Sequence, residues 1–253
     1  MTRTSPFADM FPRLYALKAA VPDPTHPNAY FQNFEERLEE SEHVRRKYLD
    51  VERPLAALDD RAWRELLKRA APLTMQRDPK RGWQLLFDTL NESKAFVYLQ
   101  SLGCSDVAFI KRATDKTPDL RAVLNGRRVF CEVKTLNISE HEASRRERSH
   151  RGEIFVTSVP TTVTRRFLNK VSDRLTRAIE QLDREDEMRI ARRIVFTILH
   201  FDDWVGDYQP EYFAQLDAYL AANPVDGAEL VFCPASNLFD RHFAMQFATV
   251  VEV

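Results

Sequence analysis

Thr117-Pro118-Asp119, Asn125-Gly126 and Cys131-Glu132-Val133-Lys134-Thr135 follow one another closely enough for their spacing to be turned into geometry. Asn-Gly between two runs of alternating apolar character predicts a two-residue hairpin turn, because both central positions need positive φ. With Asn125 and Gly126 as the loop, Leu124 pairs with Arg127, and counting back along both strands sets Asp119 opposite Glu132. The two-residue period of a strand puts Glu132 and Lys134 on one face, with Val129, Cys131 and Val133 on the other. Two carboxylates facing each other repel: at about 5 Å the Coulomb term is about 1 kcal/mol in water and about 3 kcal/mol at an effective dielectric near 20. A divalent cation held by both would offset that cost, and Lys134 alone would offset part of it. Carboxylates holding a metal beside a lysine are equipped for hydrolysis, since the metal lowers the pKa of a bound water and polarises the group under attack.

Pro118, Asp119, Glu132 and Lys134, carried on such a hairpin, together resemble the PD-(D/E)xK nuclease superfamily, the fold of many restriction endonucleases, resolvases and repair nucleases. A bare Glu-x-Lys is worth little; its combination with Pro-Asp, a tight hairpin and an upstream helical glutamate gives the resemblance its weight. It covers roughly residues 85–253. The resemblance implies an α/β fold, a restriction endonuclease-like mixed β-sheet flanked by helices. It implies Asp119, Glu132 and the Val133 carbonyl as ligands of Mg²⁺ or Mn²⁺, with Lys134 orienting or deprotonating the attacking water. Glu92, in Asn91-Glu92-Ser93-Lys94-Ala95-Phe96-Val97, stands where family members carry a further glutamate that binds a second metal or orients a metal-bound water. Lys170, on the helix after the motif, matches a polar position that some members use toward phosphate. The implied activity is a metal-dependent phosphodiesterase, an endonuclease rather than an exonuclease, acting on DNA rather than RNA by family analogy alone.

Two other readings belong to different classes. One keeps the fold without catalysis, as a nucleic-acid-binding or protein-interaction module; against it, a decayed site has no need for two opposed carboxylates. The other is a helical adaptor whose charged N-terminal segment binds a partner, with the α/β part as scaffold.

The elements that must position these residues are legible in outline. Residues 1–80 read as a helical N-terminal region, with a short helix in Phe7 to Ala19, a proline-rich connector from Val21 to Pro27 and a charged helical stretch from Asn28 to Leu49. A further helix begins after Asp59 or Asp60 and includes Trp63, Leu66 and Leu67. This region is where a second copy of the chain or a protein partner would dock. Residues 81–253 read as the nuclease-like domain, in the order helix, three strands, helix, strand, helix and two strands. Trp83 to Leu102 has apolar rows at Trp83, Leu86, Leu90 and Val97 and at Leu85, Phe96 and Leu99, which predicts burial over much of its circumference. Glu92 falls in the second row, so its carboxylate needs a partner. Thr162 to Leu182 is amphipathic, and the helix around Tyr212 to Leu220 between two apolar strand runs suggests a crossover with parallel pairing.

Composition bounds the rest. At 253 residues, 44% hydrophobic and 30% charged, the chain can bury a full core. No apolar run approaches the about 20 residues of a membrane span and the N-terminus has no signal-peptide core, so the expectation is a cytoplasmic protein with no membrane partner. Three dispersed cysteines without Cys-x-x-Cys spacing predict core residues rather than disulfides or structural zinc. The six glycines include no phosphate-cradling loop, which removes the P-loop and dinucleotide-binding classes. The net charge of −1 hides an asymmetry: Lys111 to Arg177 carries 16 Lys or Arg against 8 Asp or Glu. Arg145, Arg146, Arg148, Arg165, Arg166 and Lys170 concentrate in that stretch and are the candidate nucleic-acid contacts. His141 and His150 read as phosphate contacts or solvated side chains rather than catalytic groups, and His200-Phe201-Asp202-Asp203-Trp204 reads as a turn.

Overall fold

The structure, a computed structural model, describes residues 5–78, 81–111, 117–137, 139, 144, 148, 161–201 and 208–234, with residues 248–251 described as backbone alone. It divides into two compact units, Met1–Gly103 with Val107–Phe109, and Cys104–Asp106 with Ile110–Val253.

The first unit contains α1 (Pro12–Ala19), α2 (Phe34–Glu40), α3 (Glu42–Ala56), α4 (Asp60–Ala70), a short 3-10 turn (Ala71–Met75) and α5 (Gln84–Ser101). Pro12 opens α1, a position where its missing N–H costs nothing. The charged stretch predicted from Asn28 to Leu49 is two helices rather than one. Ser41 takes an extended backbone that ends α2, and its hydroxyl accepts from Val44 N at 3.4 Å as the cap of α3. Asp59 caps α4 in the predicted place, accepting from Ala62 N at 2.7 Å. Phe34 and Tyr48 meet edge to face at 4.9 Å, and Leu14, Leu17, Leu38 and Leu55 are fully buried. Helix α5 stops where Gly103 adopts a φ of 80° and its N–H returns to Gln100 O. Leu86, Leu90, Phe96 and Leu99 are buried as the rows require, but Leu85 is 56% exposed, because it lies in the first turn of α5 before its row reaches the buried Thr89 and Glu92.

In the second unit β2 (Leu120–Leu124) and β3 (Arg127–Leu136) form the hairpin in the register that the Asn-Gly turn sets, from Leu124 opposite Arg127 to Leu120 opposite Cys131. Asn125 and Gly126 both have positive φ, 50° and 76°, as this turn demands. β3 runs parallel to β4 (Arg192–Leu199), β4 parallel to β5 (Glu229–Pro234), and β6 (Ala248–Val251) antiparallel to β5. The order is β1-β2-β3-β4-β5-β6, with β1 (Ser105–Phe109) at the edge. Parallel neighbours cannot be joined by a tight turn, so α6 (Arg165–Glu185) and α7 (Gln209–Ala222) occupy the two crossovers. This is an α/β mixed sheet with flanking helices, compatible with a restriction endonuclease-like fold.

Phe130, Leu136, Val195, Leu199, Leu230 and Phe232 of the sheet share one core with Val171, Leu175 and Leu182 of α6 and Tyr212 and Leu216 of α7. Phe130 and Leu136 lie on the same face of β3 as Glu132 and Lys134. The polar pair is therefore set into the apolar layer between sheet and helix. No helix among the described residues is long and apolar enough to cross a membrane.

Candidate metal centre

The ladder between β2 and β3 ends at Leu120 and Cys131, and the same register carried one step further sets Asp119 opposite Glu132 and a second step sets Pro118 opposite Val133. Pro118 has no N–H to give the Val133 carbonyl, so the backbone pairing cannot continue there. The Val133 N–H instead donates to Asp119 Oδ2 at 2.8 Å. In a strand the N–H and C=O of one residue point to the same neighbour, so the Val133 carbonyl faces the Asp119 side as well. The Pro-Asp pair thus ends the ladder and supplies a carboxylate at that end.

Glu132 is 2% exposed. Lys134 Nζ donates to Glu132 Oε1 and, at 2.6 Å, to Gln181 Oε1 on α6. Glu132 Oε2 is buried and has no hydrogen-bond partner among the described residues. The Glu132 carboxyl is pushed up to about 8, first by burial and then by the negative charge of Asp119, while Lys134 pulls the other way. One lysine does not balance two carboxylates in this environment, and either a proton or a cation must accompany them.

The donor set suits a hard divalent cation. Asp119, Glu132 and the Val133 carbonyl are all oxygen donors, and the buried Glu132 Oε2 lacks the partner that a metal would be. No group of three or more His, Cys, Asp or Glu side chains among the described residues is arranged to cage a metal. An ion here would complete its shell with water and substrate oxygens, which is the habit of Mg²⁺ rather than of structural zinc.

The structure thus brings Asp119, Glu132, Val133 and Lys134 together. Glu92 belongs to the first unit, where it is 3% exposed and where Arg69 of α4 meets it at 3.0 Å to Oε1 and 2.6 Å to Oε2. Arg148, Arg165 and Arg166 are exposed, whereas Lys170 Nζ is half-buried and donates to Asn137 O at 3.1 Å, at the end of β3. Arg145, Arg146, His141, His150, Asp202 and Asp203 lie outside the described residues. Cys131 and Cys233 are buried and Cys104 is half-buried, none of them in a disulfide among the described residues. Two partners of the candidate residues escape a reading of the sequence, Arg69 for Glu92 in the first unit and Gln181 for Lys134 in the second. Arg69 sits in the last turn of an amphipathic helix, where a basic residue is unremarkable. Gln181 precedes the buried Leu182, and a neutral polar side chain at the margin of that apolar row was the only local signal.

No protein-family model matches the chain, and no curated protein does. Among solved structures the chain is similar to Pyrococcus furiosus SfsA in complex with Ca²⁺, at 14% identity and a TM-score of 0.24, over 65% of this chain and 61% of that one.

Proposed function

We propose that the chain is a metal-dependent nuclease that hydrolyses phosphodiester bonds in DNA, with Asp119, Glu132 and the Val133 carbonyl as ligands of Mg²⁺ or Mn²⁺ and Lys134 as the group that handles the attacking water. The observation that carries this reading is the meeting of two carboxylates at the end of the hairpin ladder, one of them buried and both close enough to share a proton or a cation. A divalent cation held there would polarise the phosphate and lower the pKa of a water. The chain's own residues do the rest. Asp119 is fixed by the Val133 N–H, so its carboxylate needs no rearrangement to serve as a ligand. Lys134, held by Glu132, keeps an ammonium where charge builds up on the phosphate as the water attacks. Arg165 and Arg166 open α6, Lys170 lies about one turn further on, and with Arg145, Arg146 and Arg148 they give the positive field that captures a polyanion. Glu92 would bind a second metal or orient a metal-bound water in this reading, and within the first unit it is paired with Arg69.

The test is cleavage of supercoiled plasmid and of labelled single- and double-stranded DNA with Mg²⁺ or Mn²⁺, comparing the wild type with Asp119→Ala and Lys134→Ala. Nicked and linear plasmid from the wild type, lost in both variants, is expected of an endonuclease with this site. A wild type that cuts nothing with either metal would move the chain to the non-catalytic nucleic-acid-binding class.

A further inference from the structure

We infer that Gln181 is a positioning residue for Lys134, reaching it from α6 and fixing which way its ammonium points. An ammonium has three N–H donors. One goes to Glu132 Oε1 and one, at 2.6 Å, to Gln181 Oε1, which leaves the third for a water or a phosphate oxygen. Without Gln181 the flexible four-carbon stem of Lys134 has one anchor, and it lies on the carboxylate that a metal would share. The amide supplies a second acceptor that is neutral. It can hold the lysine without adding a third negative charge beside Asp119 and Glu132.

The fold makes this anchor rigid. Ala178, Ile179 and Leu182 of α6 are buried, and Ala178 and Leu182 are fully so, which locks the turn that carries Gln181 against the sheet. On the strand side, Lys134 lies in register beside Thr197 of β4, whose side chain is fully buried. The lysine therefore has a packed neighbour on the adjacent strand and the glutamine above it on the helix. Positioning of this kind acts through Lys134, not on the substrate, so its loss weakens the turnover step more than binding.

This inference rests on the nuclease reading, and the test separates the two. DNA cleavage with Mn²⁺ would be measured for the wild type, Gln181→Met, which keeps the length and loses the acceptor, and Gln181→Glu, which keeps an acceptor oxygen. Melting temperatures would establish that each variant is folded. A second readout is the ¹H–¹³C signal of Lys134 in protein labelled at the lysine Cε, assigned by its disappearance in Lys134→Arg. The expected result is that Gln181→Met lowers kcat about 10- to 100-fold with KM nearly unchanged and shifts or broadens the Lys134 signal, and that Gln181→Glu, which keeps the acceptor but adds a third negative charge, holds the Lys134 signal and recovers only part of the rate. A wild type that cuts while Gln181→Met cuts equally well, with the Lys134 signal unmoved, overturns the inference and leaves the nuclease reading standing. A wild type that cuts nothing overturns the nuclease reading, and the catalytic role of Gln181 falls with it.

Discussion

Four carboxylates among the described residues are buried, Glu52, Glu92, Glu132 and Asp186, and what meets each of them separates framework from site. Glu52 accepts from Arg13 N and Leu14 N at 2.8 and 2.9 Å and so closes the start of α1. Asp186 accepts from Ile190 N and Ala191 N at 3.2 and 2.9 Å, and Glu92 is met by Arg69. Glu132 faces another carboxylate, Asp119. Burial raises the Glu52 carboxyl above its ordinary value, so the folded chain holds that proton more tightly than the unfolded one. Its contribution to stability is therefore full below the unfolded pKa of about 4.3 and is lost as pH rises through the folded value. Glu52→Ala is expected to cost about 1–3 kcal/mol in acid, where the gap is widest, and less as pH rises, which urea unfolding across pH would measure. Asp119→Asn is expected to do the opposite. It keeps an acceptor for the Val133 N–H and removes the charge opposed to Glu132, so the metal-free protein should gain about 1 kcal/mol while losing activity. An unchanged or lowered melting temperature would mean that the repulsion is already relieved by other groups.

At the scale of elements, the hairpin was the most legible part of the chain, because Asn125-Gly126 fixes the turn and a strand's period of two then fixes every side chain's face. Gly126 has a φ of 76° with open space where a Cβ would go, so its substitution should cost backbone strain alone. Gly126→Ala is expected to lose about 1 kcal/mol, read from denaturant midpoints. Gly227→Ala should cost more, since at a φ of 103° its Cβ would also stand 2.9 Å from the Arg193 guanidinium. Helix α4, its Asp59 cap and the two crossovers also followed from local signals. The exposure of Leu85 did not, because it depends on where the helix lies against its neighbours, and the break at Ser41 rests on a local cap that helical periodicity alone does not mark. The partners of the site residues were the hardest to see. Arg69 meets Glu92 across 23 positions and Gln181 meets Lys134 across 47, and no local pattern encodes pairings of that separation.

For the molecule as a whole, the charge distribution says more than the net charge of −1. The excess of 16 basic over 8 acidic residues between Lys111 and Arg177 lies in the stretch that holds Asp119, Glu132 and Lys134 and most of α6. A phosphodiester substrate would be drawn to that stretch, and its binding should weaken steeply with salt. Arg165→Ala with Arg166→Ala is expected to reduce the slope of log affinity against log salt by about 2, one for each phosphate that is no longer neutralised, with duplex sequence making little difference. An unaltered slope would remove these two arginines from the interface. Nuclease activity at this site requires that the opposed carboxylates hold a divalent metal. Calorimetric titration of Mn²⁺ into the wild type and into Asp119→Asn tests it most directly. Saturable binding by the wild type that disappears in the folded variant is the expected result; a wild type that gives no binding heat, or a variant that binds as the wild type does, would contradict it.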